Sequence, residues 1–151
     1  MTAQSAPGDV DFPALDEQLC FALYTATHRI TRAYRPLLEP LGLTYVQYLV
    51  MLVLWESAPR SVGELGQSLY LDSGTLTPLL KRMEKAGLVT RQRDNNDERR
   101  VLIHLTERGE SLKSQARHIQ DKLLCRMELT REQSRELKVR VMTLIDKLEN
   151  N

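Results

Sequence analysis

Hydrophobic positions along this chain recur mostly at helical spacing, with one interruption that alternates like strand. Over 15–38 the apolar residues follow a helical pattern that Pro40 and Gly42 end. Thr44 caps a second helix over 45–57, apolar almost all round and therefore central, and Pro59 breaks it. Ser61 and Glu64 stand at capping-box spacing and open a short third helix over 62–70. A fourth helix follows, capped by Asp72 or Ser73, with Leu76, Leu79, Leu80 and Met83 as its inward face. Gly87 then supplies a residue that tolerates positive φ. Residues 88–93 and 100–105 alternate around turn chemistry at 94–98, which predicts a hairpin. Thr106 caps a fifth helix over 107 to about 127, and Thr130 with Gln133 opens a sixth to about 148. In the sixth, Leu137, Val141, Leu144, Ile145 and Leu148 form one apolar stripe. Residues 1–13, with Pro7, Gly8 and Pro13, read as a flexible arm.

This order predicts a mainly α fold with a small β-hairpin. The helix pair at 61–86 followed at once by a basic hairpin is the winged helix-turn-helix arrangement. With 151 residues the chain is one domain's worth, placed at 14–151. The winged core is expected over about 44–106, with terminal helices over about 14–40 and 107–149. Apolar stripes on the first, fifth and sixth helices cannot all be buried in one small domain, so they are expected to form the dimerisation region of a homodimer. A two-fold dimer also lets two short recognition helices read half-sites about one turn apart.

Composition is that of an ordinary globular protein, at 42% hydrophobic and 27% charged. A formal net charge of +1 excludes a globally basic nucleic-acid binder. Phosphate contacts need only a local basic surface, however. The segment 71–106 holds Lys81, Arg82, Lys85, Arg91, Arg93, Arg99 and Arg100 against Asp72, Glu84, Asp94, Asp97 and Glu98. Ser73, Thr75 and Thr77 come early on the fourth helix, where side chains reach bases or phosphates, and Lys81 and Arg82 sweep its surface. Pro78 removes a backbone donor, so a kink or strain is expected there, on a solvent or DNA face. Arginines flanking a compact turn suit a narrow minor groove. Asp97, two residues before Arg99, is expected to pair with it and hold it in position. The same charges also suit an edge strand guarded against aggregation. Directly after a helix-turn-helix, the reading is double-stranded DNA.

The longest apolar run, 49–55, is too short to span a membrane, and no secretory pattern opens the chain. The expectation is a soluble cytoplasmic protein without a membrane partner. In a reducing compartment Cys20 and Cys125 are free or redox-active thiols rather than a structural staple. Cys20, Tyr24, Thr27, Thr31 and Tyr34 fall on one helical stripe. Tyr24 is one turn from Cys20, whereas Tyr34 is about 21 Å along the helix at a rise of about 1.5 Å per residue. An antiparallel crossing near Thr27 would instead bring Tyr34 of one subunit to Cys20 of the other. A phenol beside a sulfur donates to the thiolate and favours that reactive form. The competing reading is a small buried cysteine within a core tyrosine stripe. His28, His104 and His118 lack ligand spacing, so no metal is expected. With no Gly-rich phosphate loop and no Ser/His/Asp set, no cofactor and no catalytic residue are expected either.

The run Asp97-Glu98-Arg99-Arg100-Val101-Leu102-Ile103-His104-Leu105-Thr106 resembles the wing signature of the MarR family of bacterial transcription regulators, and the helix order resembles that family over nearly the whole chain. Leu19-Cys20-Phe21-Ala22-Leu23-Tyr24, Thr44-Tyr45-Val46-Gln47-Tyr48 and the run from Leu69 to Pro78 resemble its organic-hydroperoxide-sensing subgroup. The resemblance implies a homodimeric repressor on a palindromic operator, not an enzyme, with organic hydroperoxides as signal. It implies that Cys20 is the peroxidatic sensor and that Tyr34 and Tyr45 of the other subunit hydrogen-bond to it. In the two-cysteine type, a cysteine placed like Cys125 resolves the sulfenate of the opposite subunit. The one-cysteine type uses a small thiol or overoxidises. Two other functions stay open at this point. One is a MarR-type repressor released by a phenolic or apolar ligand, with passive cysteines. The other is a thiol peroxidase using Cys20 and Cys125, which has no use for a basic wing.

Overall fold

The computed structural model describes residues 14–150, so the arm expected at 1–13 lies outside the described residues. The chain divides into two compact units that meet between Arg32 and Ala33. The first holds a 3-10 turn, Leu15–Glu17, and the opening turns of helix α1 (Leu19–Leu38). The expected continuous helix is therefore interrupted at Gln18, whose extended backbone (ψ 114) separates turn from helix. Thr27 and Thr31 donate their hydroxyls to carbonyls one turn back, at 2.9 and 2.7 Å. No residue from 14 to 32 is buried.

The second unit carries the core. After α1, a 3-10 turn ends at Gly42, where φ is +68°. Helix α2 (Tyr45–Glu56) starts from a capping box between Thr44 and Gln47 and buries Tyr48, Val50, Met51, Leu54 and Trp55. The Trp55 indole N–H donates to the Gly109 carbonyl at 2.9 Å, which ties α2 to a later helix. Strand β1 (Arg60–Ser61) leads into α3 (Val62–Leu69), opened by the Ser61–Glu64 capping box. Tyr70 takes the left-handed conformation that ends α3, and α4 (Ser73–Lys85) follows with Asp72 as its cap. The tight link between them holds because Gly66 has no side chain: a Cβ there would lie 2.6 Å from the Leu71 carbonyl oxygen.

Strands β2 (Val89–Arg93) and β3 (Val101–Leu105) form the wing hairpin, with Arg91 opposite Ile103. The sheet has three strands in the order β1-β3-β2, all antiparallel. β1 was not expected, since two residues carry no periodicity to read. The expected fifth helix is two, α5 (Glu107–Ala116) and α6 (Ile119–Arg126), broken at Arg117 and His118. No proline or glycine marks the break. His118 sits at φ −102°, ψ 3°, while Leu112, Ala116, Ile119 and Leu123 on both sides are buried. Helix α7 (Arg131–Glu149) starts from the Thr130–Gln133 capping box and buries no residue. The fold is mainly helical with a winged helix-turn-helix. Among the described residues, no single helix is long and apolar enough to cross a membrane.

Candidate functional site

The recognition surface is assembled within the second unit. Asp72 accepts the Thr75 N–H at 2.7 Å, and this bond holds its carboxyl below the usual carboxylate range. Burial of Leu76, Leu79, Leu80 and Met83 turns the rest of α4 outward. Ser73, Thr75, Thr77, Lys81, Arg82 and Lys85 are all exposed, with Ser73, Thr77 and Lys81 one turn apart on a single stripe. Lys81, Arg82 and Lys85 have no side-chain partner among the described residues. The helix runs through Pro78 without interruption, and Pro78 is exposed.

The wing treats its arginines unequally. The Arg91 main-chain N–H and Nε both donate to the Glu84 carboxylate, at 3.0 and 2.8 Å. These bonds hold the Glu84 carboxyl below its usual range and strap β2 to the last turn of α4. Arg91 is thus tied to α4, half-buried, rather than offered free to a groove. At the wing tip the expected Asp97–Arg99 ion pair is replaced by another contact. Asp97 accepts the Arg99 main-chain N–H at 3.1 Å and so shapes the turn, leaving the guanidinium without a partner among the described residues. Arg93 likewise has none. Arg99 projects beside Ser73 and Thr77 along a groove of about 590 Å³ that also includes Gly63, Gln67 and Arg100.

Sequence reasoning missed Glu84 as a structural partner. The contact spans seven residues across the turn at Gly87, which no helical or strand period reports.

The tyrosines expected beside a thiol are partly brought together. Tyr34 packs against Tyr45, with ring centroids 4.7 Å apart, and against Tyr48 at 5.7 Å. Tyr48 was missed as a member of this cluster because its periodicity reads as core. Burial first, then the neighbouring Tyr45 and Tyr48 phenols, pushes the Tyr34 phenol up to about 12. Burial also raises Tyr45 and Tyr48. These phenols therefore stay protonated, as donors, throughout the neutral range.

Cys20 belongs to the first unit and is the second residue of α1, on a turn whose N–H groups lack intrahelical acceptors. Tyr24 is exposed in the same unit, its ring edge-on to His28 at 4.4 Å, and makes no hydrogen bond to Cys20 among the described residues. Cys125 lies near the end of α6 in the second unit. Both thiols are free and exposed, so neither fills a core position in the single chain. Among the described residues no group of three or more His, Cys, Asp or Glu side chains could hold a metal ion.

Comparison with known proteins places this geometry. A family model described as transcriptional regulator SarA/Rot matches residues 32–116. The organic hydroperoxide resistance transcriptional regulator of Bacillus subtilis (strain 168) is 48% identical over 138 residues, which are 91% of this chain and 94% of that protein. Reduced AbfR bound to DNA superposes with a TM-score of 0.77 at 34% identity, over 90% of this chain and 93% of that one. AbfR, from Staphylococcus epidermidis, is also solved with its disulfide formed, at a TM-score of 0.62 and 36% identity over 87% and 92% of the two chains. A cysteine-to-serine mutant of E. coli MarR complexed with operator DNA gives a TM-score of 0.73 at 25% identity, over 83% and 92%.

Proposed function

Because this chain belongs to the family of organic hydroperoxide resistance regulators, transcription regulators of the MarR type, we propose that it is a redox-sensing, DNA-binding repressor. It acts in the cytoplasm as a homodimer on a palindromic operator. Each α4 enters a major groove and presents Ser73, Thr75, Thr77, Lys81 and Arg82. Each wing offers Arg93 and Arg99 to the adjoining minor groove, with Asp97 holding the turn that carries Arg99. The observation that carries this reading is a set of cations without partners among the described residues, Lys81, Arg82, Arg93 and Arg99, on one helix and the hairpin beside it.

Oxidation of Cys20 is the trigger. Its thiolate attacks one oxygen of an organic hydroperoxide and the O–O bond breaks. Cys20 becomes a sulfenic acid, and the alcohol leaves after taking up a proton. The Cys125 thiol of the other subunit then attacks that sulfur, an S–S bond forms, and water departs. Tyr34 and Tyr45 of the opposite subunit donate hydrogen bonds to the Cys20 thiolate, and Tyr24, one turn along the same helix, joins them by turning away from His28. Three things support this: both thiols are free and exposed, the Tyr34 and Tyr45 phenols keep their protons, and AbfR is solved both reduced on DNA and with its disulfide formed. A disulfide requires Cα atoms within about 7 Å, so if the resting thiols stand farther apart than that, its formation draws helices together and takes the two α4 helices out of register with their half-sites.

The test is direct. Cys20→Ser should bind DNA from its own promoter region as wild type does and ignore organic hydroperoxide; release of that variant by peroxide overturns the sensor. Fully oxidised wild type should run as a linked dimer on non-reducing electrophoresis, and Cys125→Ser should not. A persistent wild-type monomer band overturns the intersubunit bond.

A further inference from the structure

Of the four wing arginines, two are bound within the molecule. Arg91 is held by Glu84, and Arg100 stands between two carboxylates from different elements. Its Nη1 lies 3.5 Å from Asp94 Oδ2 and its Nη2 lies 3.8 Å from Glu64 Oε2. Asp94 sits at the base of the wing turn with its side chain 12% exposed. Glu64 is in the first turn of α3, where the same Oε2 accepts the Ser61 N–H at 2.7 Å. The main chain of Arg100 closes the turn as well. Its N–H donates to the Asp97 carbonyl and its carbonyl accepts the Asp94 N–H, both at 2.9 Å. One residue therefore joins the wing to the start of the helix-turn-helix. Its neighbour Arg99, without a partner among the described residues, lines the groove beside Ser73 and Thr77.

We propose that Arg100 is a positioning residue: an ion-pair latch from the wing to Glu64 of α3 that fixes where Arg99 is presented, without itself contacting DNA. The proposal rests on the DNA-reading role of the wing argued above. At 3.5 and 3.8 Å the two contacts are ionic rather than short hydrogen bonds, so each is modest. Their value lies in ordering the wing before DNA arrives, so that less conformational freedom is lost on binding.

The sign of one substitution separates a latch from plain electrostatics. Glu64→Gln keeps the capping box, because glutamine at that position accepts the same N–H. It also removes a negative charge from the face that meets a polyanion, so Coulomb attraction alone predicts tighter binding. A latch predicts weaker binding, by about three- to fivefold for half-exposed pairs. Asp94→Asn should act in the same direction. The probe is duplex DNA from upstream of the protein's own coding sequence, titrated over a range of salt. In an Arg99→Gln background, adding Arg100→Gln should cost little more and leave the salt slope unchanged. A further fall of about 0.9 in that slope would mean that Arg100 touches phosphate, which overturns the proposal. Unchanged or tighter binding by Glu64→Gln overturns it too.

Hydrogen exchange on the free protein gives a reading that does not need DNA. The Asp94 and Arg100 amides should exchange faster in Glu64→Gln than in wild type, and equal rates overturn the latch. If those amides speed up but wild type binds no DNA, the latch stands and the proposed function falls.

Discussion

Tyr34 shows how surroundings act on one group. Its phenol is pushed from an ordinary 10.0 up to about 12, first by burial and then by Tyr45 and Tyr48. The sign follows from linkage. The folded state favours the neutral phenol, so its contribution to stability is fully present below pH 10.0 and is lost as the pH rises toward about 12. Tyr45 and Tyr48 are shifted in the same direction and share that loss. Tyr34→Phe keeps the ring and removes one ionisable group. Denaturant unfolding from neutral pH to about pH 12 should show a shallower alkaline decline for this variant, and a profile identical to wild type would refute the assignment. At this scale the residue types were legible in the sequence, but their partners were not. Asp97 was expected on the Arg99 guanidinium and instead accepts its main-chain N–H, because a carboxylate two residues upstream in a tight turn meets the backbone first.

Elements were legible where their signals are local. The capping boxes at Ser61 and Thr130 form as the sequence predicts, and the expected Thr44 cap is completed by Gln47 into a third, since each joins residues three apart. The break between α5 and α6 carries no such signal, because only the packing of Leu112 and Ala116 on one side and Ile119 on the other reports it. Within the helix-turn-helix, Gly66 is the sharpest constraint. A methyl group there would press on the Leu71 carbonyl oxygen, which is backbone and moves only with the turn. Gly66→Ala should destabilise the fold by about 1–3 kcal/mol through overpacking, seen as a lower urea midpoint with unchanged slope. DNA affinity should fall with it as α4 shifts. Wild-type stability in the alanine variant would mean that the turn yields without cost.

Across the molecule, most of the exposed large apolar side chains among the described residues lie on the terminal helices, with Val46 and Leu52 on α2 and Tyr70 at the end of α3 exposed as well. Leu19 and Phe21 on α1, and Leu137, Val139 and Leu148 on α7, are all exposed in the single chain. A leucine that passes from water to a full contact gains roughly 1.5–3 kcal/mol, and a two-fold interface counts it twice. Leu148→Glu should therefore shift the protein toward monomer in light scattering, with helix content by circular dichroism unchanged. A variant that remains dimeric at low concentration would place the interface elsewhere.

The sequence by itself determined the helix order apart from the breaks at Gln18 and at Arg117–His118, the caps, the inward face of α4 and the basic character of the wing. These depend on periodicity and on contacts within a turn or two. Tertiary structure alone decided which wing arginines are spent. Arg91 reaches back to Glu84 and Arg100 reaches back to Glu64, while Arg93 and Arg99 remain without partners among the described residues. All four look alike in the chain. An ion pair forms according to which carboxylate the folded backbone brings within about 4 Å, and that distance exists only once the sheet and helices have packed.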